Sequence, residues 1–145
     1  MLTNKTRTTV FGFLAMTLSA FNSLAQQSPL LIEISNIQKN NGKIVVEIYK
    51  DKSSWLKSPF RRITLPADES FRTASLNVPL GKYAVSIYQD LNENGKLGMN
   101  FLGIPKEPVG FGNNYKPFGK PNFESALIDY TATSKPELIK LFTVF

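Results

Sequence analysis

Apolar residues fall at every second position through most of this chain, and that period of two is what most restricts its fold. "LLIEISNI" (Leu30 to Ile37) places Leu30, Ile32 and Ile34 on one face. "KIVVEIYK" (Lys43 to Lys50) places Ile44, Val46 and Ile48 on one face and Val45, Glu47 and Tyr49 on the other. Such alternation buries one face of a β-strand, whereas a helix repeats every ~3.6 residues. No window keeps the helical period. "KNNGK" separates the two segments, and its Asn41-Gly42 pair is a strong hairpin signal, so these strands are predicted to pair with each other. Asp51 to Ser70 reads as connection, with a short edge strand at Arg61 to Leu65 ended by Pro66. "FRTASLNVP" turns Ala74, Leu76 and Val78 inward, and "KYAVSIYQD" does the same with Tyr83, Val85 and Ile87. "FESALIDYTA" and "PELIKLFTVF" read as the last two strands. The prediction is an all-β fold, a seven-stranded antiparallel β-sandwich with Greek-key connections.

The first 25 residues stand outside that pattern. Lys5 and Arg7 precede an apolar run from Val10 to about Leu18, and Ser23-Leu24-Ala25 supplies small residues at a cleavage site. This grammar is that of a Sec-type secretory signal, too short in its apolar part for a membrane span. Cleavage after Ala25 is expected to leave one domain, residues 26–145, in the periplasm or outside the cell. With the leader's two cations set aside, 15 basic residues face 11 acidic ones, a net of +4. Only Arg61 and Arg62 are adjacent, so there is no stripe for a nucleic-acid backbone, and nucleic acid is not an expected partner.

The chain holds no histidine and no cysteine. A secreted domain without disulfides must hold together through its core alone, which about 120 residues can supply. Serine–histidine triads, cysteine nucleophiles, haem and the usual zinc and copper sites all need an imidazole or a thiolate. Oxygen chemistry remains.

"LGKYAVSIYQDLNENGKL", followed by "NFLGIPKEPVGFGNN" and "PFGKPNFESALI", resembles domain of unknown function 2141, a family of small exported bacterial proteins. The similarity runs over nearly the whole chain after the leader. The resemblance implies a prealbumin-like or immunoglobulin-like sandwich and no established activity. Gln89 stands where a histidine is common in the family and Gly98 where an aspartate is common. Both departures remove a potential metal ligand and weaken any metal reading that the resemblance implies.

"DLNENG" (Asp90 to Gly95) fits the opening half of a calcium loop. Alternate side chains of a tightly wound loop point at one centre, so Asp90, Asn92, Asn94 and the Lys96 backbone carbonyl form a candidate ligand set. The second half fails, with Gly98 at the ninth position and Phe101 at the twelfth, where a bidentate glutamate belongs. One carboxylate implies weak Ca²⁺ binding, with a dissociation constant of roughly 10⁻³ M or poorer unless Glu107 or Glu124 folds back. The same residues also serve ordinary tight turns. Both readings stay open.

Met99 to Asn122 carries no convincing strand or helix but is rich in rings. One expectation is a loop packed by its own side chains that caps the open end of the sandwich. The other is a recognition platform for a small ligand, a glycan or an envelope protein, with Lys106, Glu107, Phe111, Asn113, Asn114 and Phe118 as the binding residues. Trp55, flanked by Lys57, Arg61 and Arg62, reads either as a core edge or as a surface anchor. The sequence thus points to a monomeric, non-catalytic binding module. Two alternatives accompany it. One is a glycoside hydrolase built on two of Asp90, Glu93, Glu107 and Glu124, which needs carboxyl groups about 5–10 Å apart across a cleft. The other is a structural accessory of an envelope assembly, marked by an exposed apolar patch.

Overall fold

A computed structural model describes residues 28–144. The leader and its cleavage site lie outside the described residues. Among the described residues the fold is all-β, with eight strands in two sheets. In chain order these are β1 (Leu30–Ser35), β2 (Lys43–Tyr49), β3 (Arg61–Pro66), β4 (Phe71–Leu76), β5 (Gly81–Asp90), β6 (Val109–Phe111), β7 (Leu127–Tyr130) and β8 (Glu137–Lys140). The smaller sheet has the order β4-β1-β8. The larger runs β3-β2-β5, and the far edge of the long β5 is shared. There β6 pairs with Ser86–Tyr88 and β7 with Gly81–Ala84.

Alternation placed the inward residues correctly. Leu30, Ile32, Ile34, Ala74, Leu76 and Ile139 from the smaller sheet meet Ile44, Val46, Ile48, Tyr83, Val85 and Ile87 from the larger in one buried cluster. Ile32, Ile34, Ile44, Val46, Ile48, Val85 and Ile87 are wholly buried. Truncating any of the five isoleucines to alanine is a loss of about 2–5 kcal/mol where the core cannot collapse.

The expected β1–β2 hairpin does not form. β1 pairs antiparallel with β4 and parallel with β8, whereas β2 pairs with β3 and β5. The turn is real, with Asn40 and Gly42 at positive φ, but it carries the chain from one sheet to the other. Gln89 secures that crossing. Its wholly buried amide donates to the carbonyls of Gln38 (2.8 Å) and Asn41 (2.6 Å) and accepts from the Gln38 N–H (2.9 Å). Strands from opposite sheets that face one core show the same period as strands that pair. Alternation cannot separate the two.

Two further expectations are corrected. The pairing is not wholly antiparallel, because β8 returns beside β1 in the same direction, about a hundred residues later. A parallel pair needs that kind of long crossover. The strand count rises to eight because β6 lies inside the stretch expected to be loop. Its three residues sit between Pro108 and Gly112, too short a run to display a period.

A second apolar layer covers the outer face of the larger sheet. Val45, Tyr49, Ala84 and Tyr88 project from that face and pack with Trp55, Val109, Phe111, Phe123 and Ala126. Trp55 sits at the centre, its ring 5.0 Å from Tyr49 and 5.9 Å from Phe123, and its Nε1–H donates to the Pro121 carbonyl at 3.0 Å. This is the core-edge reading of Trp55. The segment after β5 therefore lies over a sheet face, not over an open end of the two-sheet stack.

Candidate functional site

The site begins where β5 runs out. Asp90 lies on the outer face beside Tyr88 and is almost wholly buried. Its two carboxylate oxygens accept from the Asn94 N–H (3.2 Å) and the Gly95 N–H (2.7 Å). The Asn92 side-chain Oδ1 accepts from Asn94 N–H (3.2 Å) and that of Asn94 from Lys96 N–H (2.9 Å). Glu93 and Gly95 take positive φ to close the turn. All three candidate ligand side chains are thus engaged with their own backbone, the arrangement that makes Asp and Asn turn residues.

Glu107 does fold back, to a different end. Its buried carboxylate accepts from the Leu91 N–H and the Gly98 N–H, both at 2.8 Å, and so clamps the two ends of the Asp90 turn. A carboxylate oxygen has lone pairs to spare beyond one N–H. Even so, among the described residues no group of three or more His, Cys, Asp or Glu is placed to hold a metal. The donor set fits a dication poorly.

Beyond the clamp the chain forms a narrow finger. Lys106 N–H donates to the Gly98 carbonyl (2.8 Å), Met99 bridges Pro105, and Asn100 N–H donates to the Ile104 carbonyl (2.9 Å). The Asn100 side-chain oxygen accepts from both Leu102 N–H (2.9 Å) and Ile104 N–H (3.0 Å), and Gly103 N–H returns to the Asn100 carbonyl (3.0 Å). The backbone of the tip is therefore bonded from within, while its side chains point out. Phe101 is 95 % exposed and Leu102 67 %.

The second half of the loop is held as tightly. Phe111 is buried against Trp55 and Tyr115. Gly112 approaches the Ala126 carbonyl so closely that a Cβ would stand 2.1 Å from its oxygen. Asn113 donates from its side chain to the Ser125 (3.1 Å) and Leu127 (2.6 Å) carbonyls, and its N–H reaches Glu137 (2.7 Å). The Asn114 oxygen accepts from Lys140 N–H at 3.0 Å. Phe118 is fully exposed between Lys116 and Lys120.

Of the six binding residues expected from the sequence, the Lys106 and Phe118 side chains face solvent, and Asn113 and Asn114 are exposed too although their side chains bond backbone groups. Glu107, Phe111, Asn113 and Asn114 hold the loop. Met99, Phe101 and Leu102 join the exposed set. Reasoning from ring content missed Met99 and Leu102, which carry no ring, and could not tell that the Phe101 ring finds no neighbour.

A polar network braces the turn from below. Tyr49 O–H donates to Glu47 (2.6 Å), Glu47 pairs with Arg62 (3.3 Å), and Arg62 donates to the Tyr88 hydroxyl (2.8 Å) and the Gly95 carbonyl (2.6 Å). Burial, then the hydrogen bond and charge of Glu47, push the Tyr49 phenol well above the usual tyrosine range. Burial also raises Tyr88, with Arg62 opposing. Glu47 and Arg62 become neighbours only through the β2–β3 register, which the sequence does not display.

Residues 32–137 match the family described as an uncharacterized protein conserved in bacteria, DUF2141. The chain belongs to this family. The DUF2141 match runs from the third residue of β1 to the first residue of β8 and includes the whole Asp90–Phe123 loop. No curated protein and no solved structure matches the chain. Among the described residues, no helix is long and apolar enough to cross a membrane.

Proposed function

We propose that this DUF2141 protein is an exported, non-catalytic binding module that presents its recognition surface on the Asp90–Phe123 loop. The two sheets facing one core favour a β-sandwich of the prealbumin-like or immunoglobulin-like kind as its scaffold. The observation that carries the reading is a division of labour within the loop. Asp90, Asn92, Asn94, Asn100, Glu107, Asn113 and Asn114 each bond backbone groups, whereas Met99, Phe101, Leu102 and Phe118 are left in water. A mobile loop would let such side chains fold back onto the body. A braced one holds them ready for a partner.

The carboxylates do not favour hydrolysis of glycosides. Asp90 and Glu107 each clamp two N–H groups, and Glu93 and Glu124 sit in exposed ion pairs with Lys43 and Lys52. The hydrogen bond from Lys52 lowers Glu124 below the ordinary carboxylate range, opposite to what a general acid needs. Calcium is a lesser reading: a calorimetric titration with no heat and no melting shift at several millimolar metal removes it.

The test of the module is cosedimentation of the mature chain from Gln26 with isolated bacterial envelopes, alongside F101S/L102S/F118S. Binding by the parent that falls in the variant is expected. Equal binding, or none by the parent, ends the proposal.

A further inference from the structure

We propose that the Gly98–Lys106 finger inserts into an anionic lipid bilayer, with Phe101 and Leu102 entering the membrane and Lys96 and Lys106 meeting the headgroups. This rests on the reading of the loop as the recognition surface and names what that surface recognises.

Three observations select a bilayer. The first is shape. The exposed residues stand on a tip whose backbone is bonded to Asn100 from both sides, and a Cβ built on Gly103 beside them would meet no atom within 4 Å, so they protrude into open space. A protein partner must supply a matching pocket, whereas lipid closes around a convex tip. The second is area. A phenyl ring buries about 150–250 Å², so Phe101, Leu102 and the half-exposed Met99 together fall short of the roughly 800 Å² per partner in a standard protein interface. The third is charge. Lys96 and Lys106 are exposed, and among the described residues neither has a carboxylate within ion-pair distance. The nearby acids are withdrawn, Asp90 and Glu107 by burial and Glu93 by Lys43.

The dimensions agree. Phe101 lies three residue steps beyond the Gly98–Lys106 rung, at most about 10 Å of extended chain. Interfacial segments sink their apolar side chains about 5–10 Å into the headgroup boundary. With the tip at that depth, Lys106 sits at the phosphates. Phe118, exposed between Lys116 and Lys120, repeats the same chemistry on a second turn.

The experiment is cosedimentation of the mature chain with vesicles of phosphatidylglycerol and phosphatidylethanolamine, against vesicles of phosphatidylcholine alone. Preference for the anionic vesicles, weakened by salt, is expected. F101S/L102S should lose affinity at least about tenfold, since burying either side chain is worth about a decade or more. K96Q/K106Q should lose roughly fivefold per lysine. Melting midpoints of both variants should match the parent, because the altered side chains touch solvent. F101W should blue-shift on adding anionic vesicles and be quenched by brominated acyl chains. No binding to anionic vesicles, or equal binding by F101S/L102S, overturns the inference. Binding to whole envelopes that needs Phe101 and Leu102 but has no counterpart on pure lipid overturns the lipid assignment alone. Self-association lost in F101S/L102S, without vesicle binding, overturns it in favour of a second copy.

Discussion

Replacing Glu107 with alanine tests whether the loop is held as its geometry indicates. The side chain is 5 % exposed and accepts two backbone N–H bonds at 2.8 Å, from Leu91 and Gly98. Hydrogen bonds to a charged group contribute about 1.5–3 kcal/mol each, so the pair sets an upper bound near 3–6 kcal/mol. Two effects reduce that figure. Removing a buried carboxylate relieves its own desolvation, and water can reach Leu91 and Gly98 once the clamp is gone. A net loss of about 2–4 kcal/mol remains. Urea denaturation reads it as a lower midpoint at an unchanged slope. Native-state hydrogen exchange should show Leu91 and Gly98 opening first, because the loss is local. Glu107→Gln retains one acceptor oxygen but turns an amide NH₂ toward the other N–H, so it should fall between parent and alanine. An alanine variant within about 0.5 kcal/mol of the parent, with unchanged exchange at both amides, would refute the clamp.

Other perturbations probe the scaffold. Tyr49, Tyr83 and Tyr88 are all raised above the ordinary tyrosine pKa, with burial as the first cause. Their folded phenols hold protons more tightly than the unfolded ones, so their contribution is complete below about pH 10 and falls as pH rises past it. Urea midpoints measured up to about pH 11 should decline along with tyrosinate absorbance, and Tyr49→Phe should flatten the decline. Gln89→Leu strands the Gln38 and Asn41 groups that the amide satisfies. It should lower stability by about 2–4 kcal/mol, read by thermal melting. Gly112→Ala places a methyl 2.1 Å from the Ala126 carbonyl oxygen and should cost about 1–3 kcal/mol in a urea titration.

Period-two patterning was enough to predict an all-β chain, to name the inward faces of β1, β2, β4 and β5, and to place a short edge strand before Pro66. Those properties are local: each depends on which side of its own backbone a residue projects from. The turn chemistry of Asp90, Asn92, Asn94 and Gly95 was equally local and equally legible. Choice of neighbour was not. Whether β1 lies beside β2 or across the core from it depends on the closure of the whole chain, and the parallel return of β8 beside β1 has no local signature. The loop divides along the same line. Phe101, Phe111 and Phe118 are the same residue type in similar company. Only the meeting of β6 with Trp55 and the Asn100-bonded tip decide that Phe111 is buried while Phe101 faces water. Burial depends on what arrives from elsewhere in the chain, and that belongs to the tertiary structure.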